Sequence, residues 1–117
     1  MRRGEVYWAV LAPRTGSEQS GRRPVVIVSH DGFNEVPSWR SIIVVPISTS
    51  KSQARRSPTT VVLPAGVAGL TSESVVLCHQ ITTLDRTKLD KRLGELTLKD
   101  LRRVEDGILK ALDIIRE

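Results

Sequence analysis

The stretch Ser41-Ile42-Ile43-Val44-Val45-Pro46-Ile47 decides what kind of fold this chain builds. Its β-branched side chains suit a pleated strand better than a helix. Because the run is almost continuously apolar, it predicts a strand buried on both faces. Similar short runs lie on either side of it. Glu5 to Leu11 and Pro24 to Ser29 precede it; Thr59 to Leu63, Ser74 to Cys78 and a last short strand at Lys91 to Leu96 follow. Between them, Ala12 to Arg22, Asp31 to Arg40, Thr49 to Pro58 and Pro64 to Glu73 are polar or rich in Gly and Pro, and are expected to be loops.

The period changes at the C-terminus. Leu98, Leu101, Val104, Ile108, Leu112 and Ile115 recur at steps of three and four, the pattern of an amphipathic helix. Thr97 with Asp100 three residues later resembles a capping box at its start, and a short helical turn is expected around Arg86 to Lys88. The expected architecture is mainly β with a C-terminal helix, a small twisted barrel-like sheet closed by that helix. At 117 residues, 39% of them apolar, the chain is expected to form a single domain over 1–117.

No stretch is apolar enough for a membrane span, and no apolar run follows Met1-Arg2-Arg3-Gly4-Glu5, so a cytoplasmic protein is expected. A lone Cys78 and two histidines, His30 and His79, offer no zinc-ligand spacing, and no metal or other cofactor is expected. The net charge of +5 is concentrated: residues 36 to 72 carry four basic and no acidic side chains, while 73 to 117 carry nine of each. Lys51, Arg55 and Arg56 form the positive patch of that acid-free middle. It suits a phosphate backbone, or is solvated loop charge. Aromatic side chains are too few for a surface of stacked bases. Tyr7 and Trp8 are expected in the core, and Trp39 is expected to cover an apolar edge or else to stack on a base.

Three segments can carry chemistry. Gly16-Ser17-Glu18-Gln19-Ser20-Gly21-Arg22-Arg23-Pro24 is a glycine-flanked loop ending in two arginines at the mouth of a strand, where Pro24 restricts Arg23 and a guanidinium can grip phosphate bidentately. Pairing of that arginine with Glu18 explains the same pattern without function. Ser48-Thr49-Ser50 leaves the most apolar strand and supplies hydroxyl donors, or ordinary turn caps. Cys78-His79-Gln80 ends another strand, and His79 offers a proton carrier or a base-edge hydrogen bond, although a lone histidine is usually neither.

Gly16-Ser17-Glu18-Gln19, Gly21 and Arg23-Pro24 before a β-branched strand resemble the signature loop of the MazF/PemK endoribonucleases. The likeness extends through Arg3-Gly4-Glu5-Val6-Tyr7-Trp8, Asp31 with Phe33-Asn34, Val45-Pro46-Ile47, Leu63-Pro64-Ala65, Gly69-Leu70, Ser74-Val75-Val76, and Gln80-Ile81 with Thr83 and Asp85. The resemblance implies an SH3-like barrel of the MazF/PemK/CcdB type and a homodimer. It also implies a toxin whose metal-independent, sequence-specific cleavage of single-stranded RNA inhibits translation. Its partner would be an antitoxin with an acidic segment. Arg23 matches the family's catalytic arginine, and Ser48 falls where many members have a phosphate-contacting threonine. Ser48 lacks the methyl, and Thr49 shares the assignment; at His79 some members instead have an acidic residue. Glu18, Gln19, Thr49, Lys51, Arg55, Arg56, His79 and Gln80 are the expected RNA-binding set. A CcdB-like gyrase poison and a non-catalytic RNA-binding module are the competing readings.

Overall fold

The computed structural model describes residues 1–11, 21–49 and 57–115. Seven strands, β1 (Glu5–Leu11), β2 (Gly21–Ile27), β3 (Ser41–Ser48), β4 (Thr60–Leu63), β5 (Ser74–Leu77), β6 (Thr82–Asp85) and β7 (Leu89–Glu95), precede the C-terminal helix α2 (Leu98–Ala111). A four-residue helix α1 (Asp31–Asn34) lies between β2 and β3. The strand order is β4-β5-β3-β2-β1-β7, with β6 paired to β3. All the described pairings are antiparallel. The fold is mainly β with a terminal helix and SH3-like, although among the described residues the pairing does not close into a ring.

Alternate residues of the strands serve two cores, as a coiled sheet requires. Val6, Val26, Val45 and Ile47 pack with Leu101 and Val104 of α2. Ala9, Val25, Ile27, Ile42 and Val44 pack with Leu84 on the other face. The start of β3 departs from the expected two-sided burial: Ile43 is 39% exposed, and only Val44 to Ser48 is buried throughout. Tyr7 and Trp8, expected in the core, are only half-buried.

Thr97 does cap α2, its hydroxyl accepting from the Asp100 amide at 3.2 Å. A cap of this kind contributes about 1 kcal/mol. The helix stops earlier than its apolar pattern: Asp113 takes a positive φ of 56°, and Leu112 and Ile115 are exposed. Strand β6 and helix α1 were not expected. Thr82-Thr83-Leu84-Asp85 buries only Leu84, so it lacks the apolar signal of its neighbours. Helix α1 is one turn, capped by the His30 Nδ1 accepting from the Gly32 amide at 2.7 Å. The turn at Arg86–Lys88 forms as a 3-10 helix.

Candidate active site at the ends of β2 and β3

Two prolines position the site. Strand β2 pairs with β3 from Ile27 opposite Val44 to Val25 opposite Pro46, and the ladder ends there. Pro24 and Pro46 have no N–H to donate, so neither can extend the ladder as donor. On its other edge β3 pairs with β6 as far as Val44 and then with β5, Ile47 opposite Val76 and Ser48 opposite Val75. Arg23 and Ser48 each lie two residues past that last β2–β3 pair, and strand alternation gives Arg23 the face of Val25 and Ser48 the face of Pro46. On its other edge Arg23 is opposite Ala9 of β1. Arg23 is half-buried, Ser48 is 1% exposed and Thr49 is exposed. The hydroxyl that ends β3 is therefore under the surface, and its sequence neighbour is the accessible one.

The tandem arginines diverge. Arg22 lies over the Trp8 ring, 4.4 Å from its centroid, and its guanidinium is 3.3 Å from Asp90. Alternation along the strand sends Arg23 to the opposite face. The sequence alone did not single out Arg22 and Trp8 as a pair; the signal was strand parity, because Val10 is opposite Arg22 and Trp8 opposite Pro24. Behind this pair a pocket of about 180 Å³ is walled by Trp8, Pro24, Leu70 and Leu93, with Thr49, Thr71, Ser72 and Ser74 supplying hydroxyls.

His79 and Gln80 are elsewhere. Both belong to the 3-10 turn Cys78–Gln80 that follows β5. Since Val75 is the residue opposite Ser48, His79 lies four residues farther along, on the order of 10 Å by strand rise. His79 is exposed, with Nδ1 3.4 Å from the Thr59 hydroxyl, and Gln80 is half-buried. On a single chain Arg23 and Ser48 each lie two residues past the last β2–β3 pair, with Thr49 next in sequence, whereas His79 lies past the other end of β5. Glu18, Gln19, Lys51, Arg55 and Arg56 lie outside the described residues. Cys78 is no nucleophile at neutral pH: burial pushes its thiol up to about 11. Among the described residues no group of three or more His, Cys, Asp or Glu could hold a metal ion, and no helix is long and apolar enough to cross a membrane.

A small basic chain with an SH3-like antiparallel sheet and a C-terminal helix packed on it falls in the structural class of small toxin barrels. The family model for PemK-like, MazF-like toxins of type II toxin-antitoxin systems matches residues 2–112, and the chain belongs to that family. Endoribonuclease MazF6 of Mycobacterium tuberculosis is 35% identical over 112 residues, 96% of each chain. Endoribonuclease MazF of Staphylococcus saprophyticus is 38% identical over 108 residues, covering 92% of this chain and 88% of the relative. Among solved structures, a mycobacterial endoribonuclease in complex with its cognate antitoxin superposes with a TM-score of 0.79 at 26% identity, over 100% of this chain and 99% of that one. MazF of Deinococcus radiodurans gives 0.77 at 28% identity, over 97% and 96%.

Proposed function

We propose that this toxin is a sequence-selective endoribonuclease that acts in the cytoplasm on single-stranded RNA without a metal ion and so halts translation. The observation that supports the proposal is that Arg23 on β2 and Ser48 at the end of β3 each lie two residues past the last β2–β3 pair, Val25 opposite Pro46. In the reaction the 2′-oxygen attacks the adjacent phosphorus and gives up its proton to a base. The bond from phosphorus to the 5′-oxygen breaks, and that oxygen takes a proton. The products are a 2′,3′-cyclic phosphate and a 5′-hydroxyl. Charge accumulates on the non-bridging oxygens as the phosphorane-like state forms. A guanidinium, ionised at any working pH, suits that charge better than it suits proton transfer. Arg23 therefore stabilises the transition state, and Ser48 or Thr49 donates to a non-bridging oxygen.

The RNA path continues over Lys51, Arg55 and Arg56, with Glu18 and Gln19 contacting bases. His79, remote from Arg23 on its own chain, influences sequence choice with Gln80, and His79→Ala is expected to change the cleavage motif or the pH profile. A cognate antitoxin with an acidic segment competes for the same basic surface. Two copies associate; an apolar cleft of about 240 Å³ between β3 and α2, lined by Val28, Ile43, Ile81 and Ile108 with the Arg3–Glu105 ion pair, supports such a face. The test incubates wild-type protein and Arg23→Ala with long single-stranded RNA in excess EDTA and maps the ends. Discrete 5′-hydroxyl ends from the wild type alone are expected. Intact RNA would redirect the reading to a gyrase poison, assayed against gyrase, or to a binding module that retains RNA without shortening it.

A further inference from the structure

We infer that the pocket behind Pro24 and Thr49 receives one nucleobase of the RNA, within two nucleotides of the cut; the inference rests on the ribonuclease reading above. Its position follows from strand parity. Arg23 and Pro24 are consecutive on β2 and point to opposite faces. Arg23 thus stands on one face of β2 while Pro24, the next residue, lines the pocket on the other, joined there by Thr49 just past the end of β3. A nucleotide crossing the strand ends offers phosphate to Arg23 and reaches the pocket with its base.

The size and lining suit that occupant. The volume of about 180 Å³ is below the roughly 300 Å³ at which small-molecule pockets begin, enough for a flat heterocycle and little more. Trp8 and Leu93 give apolar faces, while the hydroxyls of Thr49, Thr71 and Ser72 can each donate to or accept from a base edge. Arg22, which is not among the residues lining the pocket, covers the Trp8 ring and holds its orientation. The far wall is seated tightly on β7. A Cβ at Gly69, whose φ is +76°, would come within 2.1 Å of the Leu93 carbonyl oxygen, and one at Gly94 within 2.6 Å of the Ala68 carbonyl carbon. The two glycines let backbone meet backbone there, so the pocket has fixed walls.

The test uses an RNA that the wild type cuts, remade with a single abasic residue at each position flanking the cut. One position is expected to lose on the order of 10- to 100-fold in rate, the worth of a stacked base. Leu93→Phe, which fills the pocket, should lose a similar factor on the intact RNA and become indifferent to the abasic residue at that position; Thr71→Phe fills it from the rim as a second variant. With 2′-deoxy substitution at the cut to block cleavage, and Trp39→Phe to leave Trp8 as the sole tryptophan, fluorescence should shift with the intact strand and not with the abasic one. RNA that is cut with no abasic-sensitive position, or with the same sensitivity in both filled variants, overturns the pocket assignment and leaves the ribonuclease reading standing. A protein that cuts no RNA overturns both.

Discussion

Ser48 and Thr49 differ in what matters to a phosphate: Ser48 ends β3 and is 1% exposed, whereas Thr49 is exposed and one residue past the strand. A hydrogen bond to a charged group contributes about 1.5–3 kcal/mol, so losing the right hydroxyl should cost about 10- to 100-fold in kcat. The expected outcome is that Ser48→Ala suffers this loss, that Ser48→Thr retains activity, and that Thr49→Ala changes KM more than kcat. The reverse pattern would assign the phosphate contact to Thr49. Arg23→Ala should cost more, about 10²- to 10³-fold, since it removes a charge aimed at the transition state. Away from the site, Glu5 is 7% exposed against Arg92 and the Arg2 amide. Burial alone would raise its pKa, but the hydrogen bonds from Arg92 and Arg2 outweigh it and the net shift is downward from 4.5. A carboxylate held below its unfolded value adds stability above that value and loses it as pH falls through the folded one. Thermal melts should therefore show the wild type losing Tm below about pH 4.5, with Glu5→Gln less stable at pH 7 and flatter across that acid range.

At the scale of elements, α2 is held against the sheet by a close approach that no apolar periodicity announces. Gly107 is buried in the helix, and a Cβ there would come 2.6 Å from the Cys78 Sγ and 3.1 Å from its Cβ. In an exposed helix Gly→Ala stabilises by about 1 kcal/mol. Here Cys78 is fully buried, with its thiol donating to the Val104 carbonyl at 3.5 Å, and has little room to retreat. Gly107→Ala is therefore expected to destabilise by about 1–3 kcal/mol in denaturant melts. In a Cys78→Ala background the cost should shrink or change sign, and equal costs in the two backgrounds would rule out this contact. The same physics separates what the sequence reveals of the elements from what it hides. Strands β1, β3 and β5 were legible because β-branched side chains mark a buried pleated surface. Strand β6 was hidden because its stability comes from pairing with β3, Ile42 opposite Leu84, rather than from its own apolar content. Leu112 and Ile115 kept the helical spacing but lie beyond the end of α2 at Ala111, so they are exposed.

For the molecule as a whole, each functional candidate was visible in the chain while their arrangement was not. Arg23 and the Ser48-Thr49 hydroxyls were legible as residue types at strand ends, but how far each lies from the last β2–β3 pair depends on a register between strands that close a long connection. The remoteness of His79 from them depends on the direction in which β5 crosses β3. Charge behaves likewise: its excess and its concentration in residues 36 to 72 were countable, and the structure adds that Arg22 is already engaged by Asp90 and Trp8. Exposed ion pairs of that kind are weak and open readily to competing phosphate. If RNA lies across the ends of β2 and β3 and onto the basic segment at 51–56, its binding must release counterions. For single strands the logarithm of the binding constant then falls with the logarithm of salt at about −0.7 per phosphate neutralised. Titrating 2′-deoxy-blocked RNA at several salt concentrations should give a steep slope for the wild type. Arg23→Ala should reduce that slope by about 0.7 if the arginine contacts one phosphate in the ground state. An unchanged slope with a collapsed kcat would mean that Arg23 meets the charge only as the transition state forms, and a flat slope in the wild type would remove the phosphate groove altogether.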